Sequence, residues 1–176
     1  MKRTLRTLAE VGVGEIFIGI GEMTDGQYKG WKELSPPPLQ PSSVMHESPA
    51  QRDSREWFGN PLSAYIVKGM VQSGSPLPPI LTVLKDVRET KKWCRECDAG
   101  LKITPHPNAS VHVLSFLPSV GSVVEGGVAF AIGCERGWTE EEVESMVDNG
   151  WRIGGMGIGI LRAETAAVLC GWAGGQ

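Results

Sequence analysis

The sequence predicts an α/β fold in which helices flank a mostly parallel sheet. Short apolar runs that fit buried strands alternate along the chain with helix patterns, as they do in βα repeats. The 176 residues, of which 41% are hydrophobic and 21% charged, match a single domain with one sizeable core. No apolar run reaches the ~20 residues needed to cross a bilayer, so we expect no membrane partner.

The first third of the chain predicts a helix, a strand and an insertion. Leu5 and Ala9 lie at helical spacing within residues 3–11, and a glycine follows as a stop. Residues 15–20 form an apolar run that predicts a buried strand. Residues 33–56 are rich in proline, serine and isolated charges, so we expect an extended insertion outside the core.

The middle of the chain continues the alternation. Asn60-Pro61 has the pattern of an N-cap followed by proline at the first helical position, and it predicts a helix that runs to Ser73. Residues 79–84 predict a short apolar strand. Asp86 then opens a charged segment that predicts a solvated helix over residues 87–97.

The last third contains the clearest strand and helix patterns. Residues 127–133 form a continuous apolar run that is typical of a central parallel strand. Thr139 and Glu142 form a capping-box pattern, which predicts a helix that ends at Asn149-Gly150. The remaining predicted elements are a strand over 151–153, a glycine-rich loop over 154–159 and a helix over 161–172.

Charge and cysteine usage limit the function classes. A formal net charge of −3 argues against broad adhesion to nucleic acid, so any RNA contact must be local. The basic residues available for such a contact are Lys2, Arg3, Arg6, Lys91, Lys92 and Arg95. No signal-type apolar stretch follows the basic N-terminus, so we expect a cytoplasmic or organelle-matrix protein whose four cysteines are thiols.

Two glycine-rich loops are the candidate functional segments. Residues 133–138 lie between the predicted central strand and the capped helix, where open α/β sheets hold ligands, although a simple tight turn fits the same spacing. Residues 154–159 precede the last helix, whose start carries Arg162 and Glu164. These two side chains are two positions apart and do not share a helix face, which is also typical of surface charges.

Both loops belong to longer motifs. One motif runs from Ala131 to Val143 as AIGCERGWTEEEV, and the other runs from Gly157 to Ala167 as GIGILRAETAA. Together they resemble the RsmE family of SPOUT-class RNA methyltransferases, whose patterns are I-G-P-E-[GR]-G-[WF]-[ST]-x-x-E and L-G-P-R-I-L-R-x-E-T-A. The resemblance extends more weakly to residues 8–13, Gln72, residues 77–80 and His106-Pro107. As a whole it therefore spans most of the chain outside 33–56.

The resemblance implies a SPOUT, or α/β-knot, methyltransferase fold with a trefoil knot near the C-terminus. It implies a homodimer that takes part in ribosome biogenesis by transferring a methyl group from S-adenosylmethionine to N3 of a uracil in small-subunit (16S) ribosomal RNA. Family members carry an N-terminal β-barrel RNA-binding domain of the PUA type, whereas the resemblance here starts almost at Met1. We therefore expect residues 1–176 to be one methyltransferase domain, with ribosomal RNA as partner and a further protein in place of that barrel.

The resemblance also assigns the site residues. Methylation at N3 requires that the uracil lose a proton, so Arg162 would stabilise the negative charge on the ring. Glu164 would orient Arg162 or take part in the proton transfer. No metal is expected. The cofactor-binding residues that the resemblance implies are Pro107, Gly133, Glu135, Gly137, Gly157, Ile160 and Leu161.

The chain departs from the family patterns at three positions. Cys134 replaces the proline of the first motif, and Ile158-Gly159 replaces the Pro-Arg of the second. Loss of an arginine that makes charge-assisted hydrogen bonds weakens affinity or rate by about tenfold to a hundredfold. The alternative function is therefore that of a catalytically weakened SPOUT protein that acts as an RNA-binding or ribosome-assembly factor.

The segment from Trp93 to Cys97, WCREC, offers two competing functions. It matches the W-C-x-x-C of thiol-disulfide oxidoreductases, and its cysteine spacing also suits zinc. A redox thiolate belongs at a helix N-terminus, whereas this pair is predicted inside or late in a helix, and no second ligand pair accompanies it. We therefore favour ordinary surface or half-buried thiols. Core positions are expected for Cys170, Met146 and Val147, and contacts with the insertion for Trp31 and Trp57.

Overall fold

Helices and parallel strands alternate along residues 1–25, 62–157 and 159–175, which are the residues that the computed structural model describes. The elements are α1 (Lys2–Glu10), β1 (Glu15–Ile18), α2 (Ser63–Ser73), β2 (Ile80–Val83), α3 (Val87–Glu96), β3 (Leu101–Pro105), β4 (Val128–Phe130), α4 (Glu140–Asp148), β5 (Arg152–Gly154) and α5 (Ala163–Gly174). The predicted α/β class is thereby confirmed. The predicted insertion at 33–56, the Asn60-Pro61 cap, Trp31 and Trp57 lie outside the described residues. None of the described helices is both long and apolar enough to cross a membrane.

The described strands form two parallel sheets. In one sheet β1 pairs with β2, with Glu15 opposite Ile80. In the other sheet the order is β4-β3-β5, and both pairings are parallel. The prediction that residues 127–133 form a central strand is wrong in part, because β4 is only three residues long and lies at the edge of its sheet. The centre belongs to β3.

The central strand β3 carries residues that are unusual in a strand. Its lysine, Lys102, donates from Nζ to the carbonyl oxygens of Asn149 at 2.6 Å and Cys97 at 3.2 Å. These carbonyls lie at the ends of α4 and α3, where helices leave acceptors without internal partners. The strand ends at Pro105, which has no N–H to continue the ladder. The lysine therefore serves two helix ends from within the sheet.

A core of helices and β1 occupies the N-terminal part of the described structure. Its buried members are Leu5, Ala9, Ile16, Leu62 and Ile66. The helices α1 and α2 cross closely at Gly69, where an added Cβ would clash with the carbonyl oxygen of Arg6 and lie 2.9 Å from the Cβ of Ala9. The predicted apolar face of the first helix, with Leu5 and Ala9 buried, is confirmed.

A second core lies between α3, α4 and the three-stranded sheet. Its buried members are Cys94, Ala131, Met146 and Trp151, and the Trp151 indole donates from Nε1 to the carbonyl oxygen of Cys94 at 2.8 Å. Cys170 is buried on α5, so the core positions predicted for Met146 and Cys170 are confirmed. The prediction for Val147 is wrong, because its side chain is 51% exposed. Val147 is rotated by about 100° from Met146 around the helix, and this rotation turns it away from the buried side.

Candidate functional site

Three loops leave the three-stranded sheet at the same edge. Because β3, β4 and β5 are parallel, the residues that follow Pro105, Phe130 and Gly154 all emerge at the carboxyl ends of the strands. Neighbouring strands are about 4.8 Å apart, so the loops after β4 and β5 begin about 10 Å apart with the β3 loop between them. The fold therefore gathers both glycine-rich motifs and the His106-Pro107 segment at one edge of the sheet, where α/β sheets usually bind ligands. We call the region between these three loops the cleft.

Backbone hydrogen bonds fix the β3 loop to the second glycine loop. The His106 N–H donates to the carbonyl oxygen of Gly154 at 2.9 Å, and the Gly155 N–H donates to that of Val111 at 2.7 Å. The Val113 N–H donates back to the Gly155 carbonyl at 2.9 Å. A Cβ at Gly155 would lie 3.1 Å from the carbonyl oxygen of Ala109. This wall of the cleft is thus fixed by main-chain contacts that leave no room for a side chain.

The first glycine loop closes as a tight turn. The Gly137 N–H donates to the Cys134 carbonyl at 2.8 Å, and Gly137 has a φ of +76°, which favours glycine. The Cys134 thiol lies 3.5 Å from the Gly137 carbonyl oxygen. At Gly133 an added Cβ would lie 3.1 Å from Trp138 Nε1 and 3.2 Å from the backbone of Gly137. Cys134, the residue that departs from the family pattern, therefore takes part in closing the turn.

The start of α4 ties this turn to the segment that follows β1. The predicted capping box is confirmed, because Thr139 Oγ1 accepts from the Glu142 N–H at 3.1 Å and Glu142 Oε2 accepts from the Thr139 N–H at 2.9 Å. The other oxygen of Glu142, a residue only 4% exposed, accepts from the Glu22 N–H at 3.1 Å. The sequence reveals the box but not the contact with Glu22, which is 120 positions away. The Trp138 indole N–H beside this box is buried, with no hydrogen-bond partner among the described residues.

The model of the RNA methyltransferase domain family matches residues 43–173, well over half of the chain. The chain belongs to this family. The matched range includes all three loops of the cleft and both glycine-rich motifs. The cleft is therefore the candidate active site of an RNA methyltransferase domain.

Relatives of known identity support the same family. The ribosomal RNA small subunit methyltransferase E of Treponema pallidum is 34% identical over 108 residues, which are 60% of this chain and 40% of that protein. A ribosomal RNA small subunit methyltransferase E from Neisseria gonorrhoeae, solved with bound S-adenosylmethionine, aligns with 98% of this chain and 59% of its own, at a TM-score of 0.63 and 22% identity. A Legionella pneumophila chain, also solved with bound S-adenosylmethionine, aligns with 97% of this chain and 58% of its own, at a TM-score of 0.67 and 22% identity.

These comparisons bear on the fold more than on the chemistry. The chain spans 40% of the Treponema protein and 58–59% of the two solved structures. The two structural matches, at 22% identity, show a shared fold. The α/β fold of parallel strands flanked by helices, implied by the RsmE resemblance, is confirmed, whereas the C-terminal trefoil knot stays a prediction.

In this RNA methyltransferase domain the residues predicted to bind cofactor all follow a carboxyl strand end. Pro107 follows β3, and Gly133, Glu135 and Gly137 follow β4. After β5 come Gly157, Ile160 and Leu161. The Ile160 side chain is 84% exposed, so an apolar surface faces solvent next to the second glycine loop. The structure brings the predicted set to one edge, while the binding roles stay predictions.

The two residues predicted to act in catalysis lie at the start of α5. Arg162 is the N-cap residue of that helix, with extended backbone angles of φ −65° and ψ 149°, and its side chain is exposed. Glu164 lies in the first turn and is also exposed. It lines a shallow depression together with residues 1–4 of α1 and its cap. Glu164 thus lies beside the first turn of α1, and Arg162 precedes it by two positions at the helix N-cap.

The cysteine pair in this domain has the wrong environment for redox chemistry. Cys94 lies in the last turn of α3 and Cys97 at its C-cap, as the sequence predicts. Burial, followed by the neighbouring Cys97, raises the pKa of the Cys94 thiol to about 11, whereas a redox nucleophile needs a lowered pKa. Within residues 1–25, 62–157 and 159–175, no group of three or more His, Cys, Asp or Glu is arranged to hold a metal ion.

Proposed function

We propose that this chain binds S-adenosylmethionine and transfers its methyl group to N3 of a uracil in small-subunit (16S) ribosomal RNA. The family match over residues 43–173 and the relatives named ribosomal RNA small subunit methyltransferase E support an RNA substrate. The two solved relatives with bound S-adenosylmethionine support the methyl donor. The observation that carries the proposal is the convergence of both family motifs at one edge of a parallel sheet.

The cleft has the chemistry that an adenosine needs. A flat base is held by apolar surface on its faces and by backbone donors and acceptors at its rim. Ile160 and Leu161 offer exposed apolar surface, and covering one such side chain stabilises a complex by roughly 1.5–3 kcal/mol. Gly133 and Gly137 let the main chain come close to a ligand, because neither carries a side chain. The full proposed cofactor set is Pro107, Gly133, Glu135, Gly137, Gly157, Ile160 and Leu161.

The proposed chemistry assigns separate tasks to the ligand and to the protein. S-adenosylmethionine supplies an electrophilic methyl group on sulfur, and uracil N3 becomes a nucleophile only after it loses its proton. The resulting negative charge spreads over the two ring carbonyl oxygens. Arg162, at the exposed N-cap of α5, stabilises that charge, and the free N–H groups of the helix start add about 0.3–1 kcal/mol. Glu164 orients Arg162 or accepts the proton.

We also propose that the chain works as a homodimer through the outer face of α5. Leu169 and Trp172 are three residues apart and share a helix face, with side chains 44% and 54% exposed. Light scattering should give the mass of a dimer for the unchanged chain and a monomer for Leu169→Asp. Val147→Asp, at the exposed α4 position, is the matched control and should remain dimeric. A monomeric unchanged chain, or a Leu169→Asp dimer, would contradict this proposal.

The organisation of the working protein belongs to the same proposal. Residues 1–176 act as one methyltransferase domain in the cytoplasm, where ribosomal RNA is the substrate. A protein partner supplies further RNA-binding surface. This part of the proposal rests on the family resemblance alone. The match to the Treponema relative covers 40% of that protein and does not bear on it.

One sequence feature favours the alternative function. Ile158-Gly159 stands where the family pattern has Pro-Arg, so the second motif lacks one arginine that could make charge-assisted hydrogen bonds to the substrate. A domain that binds RNA and assists ribosome assembly without turnover would tolerate that change. The alternative predicts RNA binding, with or without cofactor, and no methyl transfer.

Two measurements on the whole chain separate these functions. Calorimetry gives the affinity for S-adenosylmethionine, and labelled S-adenosylmethionine mixed with unmethylated small-subunit RNA gives the transfer rate. Transfer supports the enzyme, and cofactor or RNA binding without transfer supports the alternative. The absence of both cofactor binding and transfer overturns the methyltransferase proposal.

A pair of glycine variants tests whether the cleft is the cofactor site. Gly133→Ala places a Cβ about 3 Å from Trp138 and Gly137, so we expect cofactor affinity to fall by about tenfold. Gly14→Ala is the control, because a Cβ there meets nothing within 4 Å and the φ of Gly14 lies outside the left-handed region that favours glycine. Equal affinity in the two variants would place the cofactor elsewhere.

A further inference from the structure

Basic side chains gather where α1 crosses α2. The residues are Lys2, Arg3 and Arg6 on α1 and Lys68 on α2. The close approach at Gly69, where no side chain separates the helices, brings the exposed edge of α2 against the first two turns of α1. The aromatic ring of Tyr65 lies between them. We call the surface formed by Lys2, Arg3, Arg6, Tyr65 and Lys68 the α1–α2 patch.

Two ammonium groups lie near the Tyr65 ring. Lys2 Nζ and Lys68 Nζ each lie 5.7 Å from the ring centroid. Two carboxylates border the patch: Glu10 pairs with Arg6 at 2.8 Å, and Glu164 lines the depression beside the first turn of α1. Among the residues that the structure describes, the patch carries four cations and is bordered by these two carboxylates, whereas the chain as a whole carries −3.

The helix α4 and the α1–α2 patch differ in charge. The helix α4 carries the exposed acidic residues Glu140, Glu141, Glu144 and Asp148 and no basic residue. Of the basic residues that the sequence offers for RNA, Lys91 pairs with Glu22 and Lys92 lies 3.8 Å from Glu96, both on α3. An anionic polymer is therefore attracted to the α1–α2 patch and repelled from α4.

We propose that the α1–α2 patch binds single-stranded RNA next to the nucleotide that is methylated. Lysine and arginine neutralise backbone phosphates, and an aromatic ring flanked by cations provides a stacking platform for an unpaired base. The depression lined by residues 1–4 and Glu164 joins the patch to the start of α5, where Arg162 lies. The proposal rests on the RNA substrate proposed above and names the surface that holds it.

Removal of two patch charges tests this surface. The double variant Arg3→Gln/Lys68→Gln is compared with the full chain for binding of a fluorescently labelled oligouridylate of about 12 nucleotides. Each lost phosphate contact on single-stranded RNA lowers the salt slope by about 0.7, which near 0.1 M salt corresponds to about fivefold in affinity. The double variant should therefore bind about 25-fold more weakly, with a slope smaller by about 1.4. The variant Tyr65→Leu should lose affinity that Tyr65→Phe retains, because only the ring stacks.

The control removes the same charge from another surface. Lys92→Gln/Arg95→Gln lies on exposed positions of α3 and should change RNA affinity by less than about twofold. If both double variants weaken RNA binding equally, or if neither weakens it, the proposal that the α1–α2 patch binds RNA is overturned. Cofactor affinity is measured in parallel and should be the same in all variants. A chain that binds no S-adenosylmethionine but shows the patch effect fails only the enzyme proposal, and a chain that binds the cofactor without the patch effect fails only this one.

Discussion

Replacement of Glu142 by glutamine isolates the contribution of one buried carboxylate that holds two distant segments. Its Oε2 accepts from the Thr139 N–H at 2.9 Å and its Oε1 accepts from the Glu22 N–H at 3.1 Å. Glutamine keeps one acceptor oxygen and places an NH₂ donor where the second oxygen was. One backbone N–H then faces a donor in a site that is 4% exposed. The lost charge-assisted hydrogen bond is worth about 1.5–3 kcal/mol, and the lost charge in the first turn of α4 about 0.3–1 kcal/mol.

The net effect is smaller than that sum, because the amide is less costly to bury than the carboxylate. We expect Glu142→Gln to reduce the free energy of unfolding by about 2 kcal/mol, which lowers the urea midpoint by about 1 M at a slope near 2 kcal/mol/M. Glu141→Gln is the matched control, because this exposed residue lies in the same helix turn and accepts neither of these two hydrogen bonds. It should lose at most about 1 kcal/mol. Midpoints for the two variants within about 0.2 M of each other would refute the derivation.

Three further predictions concern the helix crossing, the thiols and β3. Gly69→Ala should lower the free energy of unfolding in urea by about 1–3 kcal/mol, because the added Cβ has no space against α1, and the better helix propensity of alanine does not offset this clash. Gly14→Ala, where the Cβ meets nothing, should change the free energy of unfolding by less than about 0.5 kcal/mol. Burial raises the pKa of Cys94 to about 11 and that of Cys170 to about 12, so both should resist a thiol reagent near about pH 8 until the chain unfolds. Since an unfolded thiol ionises near 9.0, the stability from these neutral thiols is fully present below that pH and lost between it and pH 11–12, and the urea midpoint should fall as the pH enters this window. Lys102→Met should lower the free energy of unfolding by about 1–3 kcal/mol, because carbonyls of Asn149 and Cys97 lose a charged donor, and an unchanged midpoint would show that water replaces it.

Much of the fold is predictable because its signals are local. The capping box at Thr139 and Glu142, the N-cap Asp86 and the apolar spacing of Leu5 and Ala9 each act within one helix turn, and each appears in the structure. The apolar pattern does not predict the central strand β3, because Lys102 interrupts its apolar run, whereas the family resemblance implies a strand that ends near His106-Pro107. The acceptors of that lysine are the carbonyl oxygens of Asn149, 47 positions away, and of Cys97, 5 positions away. Carbonyl oxygens occur in every residue, so the sequence around Lys102 does not mark it as part of a sheet.

The sequence predicts where the site lies, but it does not predict the contacts that hold the loops of the site in place. The glycine-rich motifs locate the loops, because a close approach at Gly133 and a positive φ at Gly137 both favour glycine and so appear in the composition. The contacts that hold those loops are made by main-chain atoms of Val111 and Gly155 and by the Glu22 N–H, and main-chain atoms are the same in every residue. A composition-based signal therefore cannot report them.

The segment after β5 has a fixed part and an exposed part, and this difference matters for function. The wall formed by the β3 and β5 loops is held by three backbone hydrogen bonds of 2.7–2.9 Å, so little reorganisation remains when a ligand binds there. Further along the same segment after β5, Ile160 is 84% exposed and Arg162 is exposed at the helix start. Apolar surface beside a rigid wall gains most from a ligand or from a second copy that covers it. We therefore expect cofactor binding and dimer formation to reinforce each other, with S-adenosylmethionine raising the dimer fraction of the unchanged chain in light scattering at low protein concentration. An unaltered dimer fraction at saturating cofactor would show that the two surfaces are energetically independent.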